Sequence, residues 1–338
     1  MMGRKPHAVN WNSTAQVLRV LEDIGLQVAD TRQETLESLT DRHTLIPKLL
    51  AYREGAKKLS AYGKKWAEHL HAGTGRIHAD WRQIGAETGR MSCKSPNLQS
   101  LPRSKDYRAC FRAAPGHVLI KADYAQIELR LIAEIAGDDA MKKAFIDGVD
   151  LHALTATHVN GGGAIEDVTT DDRQMAKAVN FGLIYGMGAL RLADYARSRY
   201  GVDMDEATAS EVGASYFRAY PGLRRWQRLQ GRLKETRTVL GRRRAFEGDG
   251  HYTGKLNSPV QGTGADGLKL ALIRLWETRD TVDAYPVLTV HDEIVVEAPA
   301  DRAEQAKQWL IDCMIEGMAE VLKEVPVVVD AEVKEAWG

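Results

Sequence analysis

Residues 118–130 have the sequence VLIKADYAQIELR, and this stretch decides the fold. Its first residues are mostly aliphatic, which predicts a buried strand that ends at Asp123. From Ala125 onward the pattern is helical, and a second acid, Glu128, follows five residues after the first. A carboxylate at the end of a buried strand is costly unless it binds a metal or pairs with a cation. The stretch therefore predicts a strand followed by a helix, with either a metal-binding acid or an ordinary turn acid between them.

A further acid occupies a comparable place near the end of the chain. Between residues 286 and 299, two short apolar strands flank the triplet His291-Asp292-Glu293. Two carboxylates brought together would repel, and two divalent ions about 3.5–4 Å apart would relieve the repulsion and suit nucleotidyl transfer. Oxygen ligands of this kind favour Mg²⁺. Nothing local shows that Asp123 and Asp292 meet, because 169 positions separate them.

Residues 171–196 have a helical pattern in which Arg173, Lys177, Phe181 and Tyr185 recur at every fourth position. At 100° per residue these side chains share one broad helix face about 18 Å long. An arginine and a lysine could hold a triphosphate, and the two rings could stack on a base or sugar. The alternative is an amphipathic surface helix with a partly buried aromatic edge.

Composition limits the class of protein. The chain has 338 residues, is 44% hydrophobic and carries 46 basic and 46 acidic side chains, which predicts two or three compact units. Zero net charge argues against non-specific coating of DNA, although binding depends on where the cations lie. The three scattered cysteines predict reduced thiols and no zinc site. Without an 18-residue apolar run or a signal peptide, a cytoplasmic location with no membrane partner is expected.

Taken in order, these segments resemble the polymerase motifs of family A DNA polymerases, the bacterial DNA polymerase I type. The segment RQMAKAVNFGLIYG at 173–186 is similar to the helix of that family that closes over the incoming nucleotide. The mixture of strands and helices without regular alternation already favours an α+β fold. The resemblance implies a right-hand polymerase with an antiparallel palm sheet, helical fingers and a shortened helical thumb. The implied domains are 1–75 (thumb remnant), 76–140 (first part of the palm), 141–250 (fingers) and 251–338 (second part of the palm).

The resemblance also implies a role for each site residue. Asp123 and Asp292 would hold two Mg²⁺ ions, with Mn²⁺ as a substitute, and Lys177 would be catalytic by protonating the leaving pyrophosphate. Glu128 with Tyr185 would leave no room for a ribose 2′-hydroxyl. The implied nucleotide-binding residues are Arg173, Lys177, Phe181, Tyr185, Glu128, His152 and Gln126. The implied DNA-binding residues are Arg90, Asn257, Gln261, His291 and Glu293.

The reaction that the resemblance implies is templated addition of deoxynucleotides to the 3′-hydroxyl of a primer, with primer-template DNA and deoxynucleoside triphosphates as partners. The chain has no room for the family's proofreading exonuclease, and it begins partway into what resembles the thumb. A weak grip on DNA follows, so a separate exonuclease or processivity subunit is expected to complete it. The alternative is a piece of a longer protein. A bacterial or phage-infected cell is the expected setting.

Two other functions stay open at this point. A single-subunit RNA polymerase shares the spacing from Lys177 to Tyr185, but it should lack the segment Gln126-Ile127-Glu128 that is present here. A catalytically silent DNA-binding replication module should have lost its metal-binding carboxylates. One departure from the family pattern is Asp172, which stands where a second arginine is common, although an acid there suits the helix dipole.

Overall fold

The computed structural model describes residues 9–248 and 250–338. The chain divides into two compact units between His78 and Ala79. From residue 9 onward, the first unit contains three α-helices, α1 (Thr14–Asp23), α2 (Gln33–Glu37) and α3 (Leu45–Tyr62). Its core is formed by apolar side chains at helical spacing, among them Val17, Leu21, Leu36, Ile46 and Leu49. The sequence of residues 14–70 predicts helices with short breaks, and these three helices confirm it.

The second unit mixes strands and helices. Its strands are β1 (Asp80–Arg82), β2 (Ser92–Lys94), β3 (His117–Tyr124), β4 (Glu235–Arg237), β5 (Arg243–Ala245), β6 (Tyr285–Val290), β7 (Glu293–Pro299) and β8 (Val329–Lys334). Its helices are α4 (Lys105–Arg108), α5 (Ile127–Ile135), α6 (Asp139–Ile146), α7 (Leu151–Val159), α8 (Thr170–Ile184), α9 (Ala189–Tyr200), α10 (Glu206–Ala219), α11 (Pro221–Gln230), α12 (Tyr252–Thr278) and α13 (Ala303–Ala319).

The central sheet has the strand order β6-β7-β3-β8, and every neighbouring pair is antiparallel. Side chains alternate between the two faces of β3, so that Ile120, Ala122 and Tyr124 point into the core. The Tyr124 hydroxyl donates a hydrogen bond to the Met314 carbonyl of α13 at 2.7 Å, which holds that helix against the sheet. The opposite face presents Lys121 and Asp123, which are only half-buried.

Helices α12 and α13 cross closely at Gly317. A Cβ atom at this position would lie 2.4 Å from the backbone nitrogen and 2.6 Å from the Cα of Ala271. Because both of these atoms belong to the backbone of a long helix, neither can move aside without separating the two helices.

We expect Gly317→Ala to lower the free energy of unfolding by about 1–3 kcal/mol, because overpacking forces the backbone to shift. Thermal unfolding of both proteins would measure the loss. The matched control is Gly213→Ala in the middle of α10, where the added Cβ would meet only Leu183 at 3.9 Å. That variant should be neutral or slightly more stable. Equal melting temperatures for the two variants would contradict the close crossing.

The sequence predicts several element boundaries incorrectly. The single helix expected over 171–196 is two helices, α8 and α9, separated at residues 185–188, where Gly186 has φ +77°. Residues 262–280 have a helical pattern in the sequence, but helix α12 begins ten residues earlier, at Tyr252, and contains Pro259. Proline cannot bond the carbonyl four residues before it, and the Gln230 side chain donates to that carbonyl, on Lys255, at 3.3 Å instead.

Candidate active site

The fold brings the two predicted metal-binding aspartates together. Asp123 is the last but one residue of β3 and is directly opposite Glu293, the first residue of β7. Asp292 precedes Glu293 in the two-residue turn that joins β6 to β7, where His291 takes φ +60°. The backbone N–H of Tyr124 donates to the Asp292 carbonyl at 3.4 Å. The antiparallel register therefore places the two aspartates side by side, although they are distant in sequence.

The surroundings of the two carboxyls disfavour their ionised forms. Burial, followed by the nearby charges of Asp292 and Glu293, raises the pKa of Asp123 from 3.8 to about 7. Burial also raises the pKa of Asp292. The Oδ1 atom of Asp123 is buried without a hydrogen-bond partner among the described residues. A buried carboxylate oxygen without a partner, beside a second carboxylate, fits the binding of divalent cations.

The remaining ligands of such a cation would not come from more acidic or histidine side chains. Within residues 9–248 and 250–338, no group of three or more His, Cys, Asp or Glu side chains is arranged to hold a metal ion. Two aspartates would leave the other positions to water, backbone carbonyls and substrate phosphates, which is the coordination that Mg²⁺ prefers. Asp123 and Asp292 therefore fit an open site for a divalent cation better than a closed structural metal site.

We expect Asp123→Asn to raise the melting temperature by several degrees at pH 8 in buffer with EDTA. A carboxyl whose pKa is raised on folding destabilises the folded state when it ionises. The penalty is absent below the unfolded pKa near 3.8 and complete above about pH 7. The gain in stability should therefore disappear near pH 4. Asp330→Asn, at the exposed residue opposite Asp123 on β8, is the control. A gain that does not depend on pH would contradict this account.

The structure gives Glu293 a different environment from the one predicted. Its carboxylate accepts a hydrogen bond from Trp337 Nε1 at 2.5 Å and forms an ion pair with Arg108 at 3.5 Å. Glu293 is 8% exposed and Trp337 is 1% exposed. The guanidinium of Arg108 also lies over the Trp337 ring. The Glu293 carboxylate is therefore enclosed by protein partners, and contact with DNA would require it to leave them.

Glu128, Tyr185 and Arg90 form one hydrogen-bonded group. The Tyr185 hydroxyl donates to one carboxylate oxygen of Glu128, and the Arg90 guanidinium donates to the other. Burial, with the neighbouring Glu128 carboxylate, raises the pKa of the Tyr185 hydroxyl well above its usual value, so the phenol stays protonated. Both oxygens of Glu128 are therefore held in place. The cavity beside this group is also lined by Gln261 and Asp292.

The helix that carries the predicted nucleotide-binding residues begins with a capping box. The Thr169 side chain accepts from the backbone N–H of Asp172 at 3.1 Å, and the Asp172 carboxylate accepts from the backbone N–H of Thr169 at 3.1 Å. Asn160 donates to the second oxygen of Asp172 at 2.8 Å. Asp172, which departs from the family pattern, therefore has a structural role at the start of α8.

Helices α7 and α8 bring several predicted nucleotide-binding residues together. Arg173 Nε donates to the Asp150 carboxylate at 2.6 Å. The ring of His152 lies 5.9 Å from that of Phe181, measured between centroids. Both Arg173 and Lys177 act electrostatically on His152. Among the described residues, the Lys177 ammonium has no hydrogen-bond or ion-pair partner, which leaves it free to bind an anion.

Two other predicted site residues, Gln126 and Asn257, have a buried amide oxygen that no described residue hydrogen-bonds. Gln126 takes φ +53° at the start of α5, and its Oε1 atom is buried without a partner in the part of the chain that the structure describes. The Oδ1 atom of Asn257 on α12 is in the same situation. Gln261, one turn later, lines the cavity that Arg90, Glu128 and Asp292 share. A buried amide without a partner is unusual in a folded protein and marks a place where a ligand could bind.

Sequence reasoning missed two arginines near the site. Arg242 donates to the Thr88 carbonyl at 2.7 Å, to the Gly262 carbonyl at 2.8 Å and to the Asp266 carboxylate at 2.8 Å. These contacts hold the loop before Arg90 against α12. Arg103 acts electrostatically on Asp123 and lowers its pKa. The run of three arginines after Gly241 is visible in the sequence, where it predicts only a turn into irregular structure, or a hairpin.

Comparison with known proteins agrees with this geometry. The profile of DNA polymerase family A matches residues 2–338. The chain belongs to this family. DNA polymerase I of Aquifex aeolicus is 40% identical over 311 residues, which cover 89% of this chain and 53% of that protein. The thermostable DNA polymerase I of Thermus filiformis is 35% identical over 362 residues, covering 98% of this chain and 42% of that protein.

A solved family A structure shares the fold. It is the POL domain of Pol1 from M. smegmatis, in complex with DNA primer-template and dNTP, with a TM-score of 0.87 and 29% identity. The match covers 97% of this chain and 61% of the other. The expected family and the expected α+β polymerase fold are therefore confirmed. Family A DNA polymerases generally use divalent metal ions.

The family A chain spans about half the length of the curated relatives that it matches. None of the described helices is long and apolar enough to cross a membrane. The boundaries proposed between palm and fingers at 140 and 250 stay predictions, as do the individual roles of the site residues. The division at residue 78 lies three residues after the predicted end of the thumb remnant.

Proposed function

We propose that this chain is a template-directed DNA polymerase that adds deoxynucleotides to a primer 3′-hydroxyl and releases pyrophosphate. The observation that carries the proposal is that the fold places Asp123 and Asp292 side by side and, at α7 and α8, brings Arg173 and Lys177 near His152. Primer-template DNA and deoxynucleoside triphosphates would be the partners. Such chemistry is limited by repulsion between phosphate oxygens, so positive charge placed in advance lowers its barrier.

Asp123 and Asp292 would hold two Mg²⁺ ions, with Mn²⁺ as a substitute. When bound, the ions would activate the primer hydroxyl and stabilise the leaving oxygen. The lone Oδ1 atom of Asp123 and the mutual repulsion of the two carboxyls support this assignment. Arg103 and Lys121 oppose the rise in the pKa of Asp123, and bound divalent ions would oppose it further by favouring the ionised carboxyl.

The triphosphate would lie along α8. Arg173 would bind it through the nitrogens of its guanidinium that Asp150 leaves free, because only Nε donates to Asp150. Lys177 would neutralise charge on the departing pyrophosphate and protonate it. Phe181 would pack beside the base and sugar, and Gln126 would complete the nucleotide site. Template and primer contacts would come from Arg90, Asn257, Gln261 and His291, mostly to the backbone.

Glu128 would select deoxyribose. The Tyr185 hydroxyl and the Arg90 guanidinium hold both oxygens of Glu128, so the side chain cannot rotate away from an extra hydroxyl on the sugar. A rigid group excludes an oversized substrate more strongly than a mobile one, because displacing it breaks two charge-assisted hydrogen bonds.

We expect Glu128→Ala to lower the preference for deoxynucleotides over ribonucleotides by about a hundredfold. Single-nucleotide incorporation with each sugar would measure the ratio of kcat/KM values. Glu128→Gln keeps the volume and an acceptor for Tyr185, so it should keep most of the discrimination. Unchanged sugar preference in the alanine variant would remove Glu128 from this role.

Primer extension tests the proposed function directly. The purified chain would be given a primed template, the four deoxynucleotides and Mg²⁺, and products would be separated by length. Template-directed extension is the expected result. A folded protein that binds the primed template but adds no nucleotide would contradict the proposal and favour a silent binding module. Equal use of ribonucleotides would favour an RNA polymerase.

A further inference from the structure

A buried polar network lies behind the proposed nucleotide site, and the proposed mechanism does not use it. It joins His152 and Thr155 of α7 to Asn180 of α8 and to Tyr220, which precedes α11. His152 is 3% exposed, and the other three side chains are fully buried. The Asn180 Nδ2 atom lies 3.1 Å from His152 Nδ1 and 3.2 Å from Thr155 Oγ1, and Thr155 is 2.8 Å from the Tyr220 hydroxyl.

The position of the Asn180 amide decides which nitrogen of His152 carries the proton. An amide NH₂ group can only donate, so the Nδ1 atom that faces it must accept. A neutral imidazole carries one proton, which then lies on Nε2. No described residue hydrogen-bonds Nε2, so this N–H group is available to a ligand.

Burial and two nearby cations keep the His152 ring neutral. Burial lowers the pKa of His152 to about 4; Asp150 opposes the shift, and Arg173 and Lys177 add to it. The ring therefore holds a single proton at neutral pH, and the position of that proton matters. Because the same two cations would bind the nucleotide phosphates, His152 lies near the proposed phosphate site.

We infer that Asn180 is a positioning residue that holds His152 as the Nε2–H tautomer, so that this N–H group donates to a phosphate oxygen of the incoming nucleotide. This inference rests on the proposed function. With the amide reversed, Asn180 Oδ1 would accept from Nδ1–H, and the lone pair of Nε2 would face the phosphate oxygens. Phosphate oxygens accept hydrogen bonds, so that arrangement would be repulsive.

Nitrogen NMR of protein labelled with ¹⁵N-histidine tests the tautomer without any substrate. The chain has ten histidines, and comparison with His152→Gln would assign the signal. We expect the Nε2–H form for the parent protein between about pH 6 and pH 8. Asn180→Asp presents only acceptors, so Nδ1 should become protonated in that variant, as the reversed tautomer or as the cation.

Kinetics of single-nucleotide addition tests the consequence. In Asn180→Asp and Asn180→Ala we expect KM for the deoxynucleotide to rise about tenfold or more, with unchanged affinity for primed template, because a hydrogen bond to a charged group is lost or misdirected. Tyr220→Phe removes a hydroxyl from the same network but leaves the contact between Asn180 and His152. It should change KM less than about twofold. Melting temperatures identify any variant that fails to fold.

Three results would decide against the inference. A parent protein that extends primers with His152 in the Nδ1–H form would overturn it and leave the proposed function intact. Folded Asn180 variants that lose stability but keep the parent tautomer and KM would also overturn it, because a purely structural role predicts that pattern. A parent protein that shows the expected tautomer but adds no nucleotide would overturn the proposed function, and the inference with it.

Discussion

Asp292→Asn is expected to lower the rate of nucleotide addition by about a thousandfold or more, because it removes a metal-binding charge from the reacting centre. The change preserves shape, and Asp292 lies in a tight turn whose backbone pairs with β3. The fold should therefore survive. Loss of a buried carboxyl with a raised pKa should even make the metal-free protein slightly more stable at pH 8.

Pre-steady-state single-nucleotide addition at saturating Mg²⁺ would measure this effect, with fluorescence anisotropy to show that primed template still binds. Glu332→Gln is the matched control, since this carboxyl lies on the neighbouring strand β8, is exposed and, among the described residues, forms ion pairs only with Lys121 and Lys334. That variant should retain at least about half the parent rate. A rate within tenfold of the parent for Asp292→Asn would refute the proposed metal role.

Lys177→Met is expected to lower kcat by about a hundred- to a thousandfold, through the loss of both a charge and a proton donor. The described residues offer the Lys177 ammonium no ion-pair partner, so its removal leaves no buried acid unpaired and should change stability little. An effect on kcat larger than the effect on KM would show that the interaction strengthens in the transition state.

Lys177→Arg separates the two contributions of this side chain. Arginine keeps the charge but cannot release a proton at accessible pH, so the variant should recover phosphate binding and only part of kcat. Lys143→Met, at an exposed position on α6 that pairs with Asp147, controls for the general loss of a cation. Should the control variant slow the reaction as much as Lys177→Met does, the assignment of a specific role to Lys177 would fail.

Local chemistry made parts of the site predictable from sequence. The strand that ends near Asp123, the turn that contains Asp292 and the helix that carries Arg173 each follow from short patterns of residues. The helix dipole likewise accounted for an acid at position 172, although only the structure shows that Asp172 forms a capping box with Thr169. These features depend on neighbours within about four residues, which is why they could be recognised.

The missed boundaries have non-local causes. Helix α12 continues through Pro259 because a side chain from α11 bonds the carbonyl that proline leaves free. The predicted DNA contact of Glu293 rested on its place beside Asp292, whereas Trp337 and Arg108, distant in sequence, surround its carboxylate. Neither partner is signalled by the residues nearby, so the environment of each side chain could not be foreseen.

The sequence by itself determined the family, the types of chemical group at the site and most of the short elements that carry them. Tertiary structure alone decided that Asp123 and Asp292 meet, that both oxygens of Glu128 are held, and that Asn180 contacts His152. The physical reason is that strand register, burial and the packing of one helix on another join residues far apart in the chain. Those same contacts shift the pKa values of the two aspartates and select the tautomer of His152. The proposed chemistry depends on both the pKa values and the tautomer.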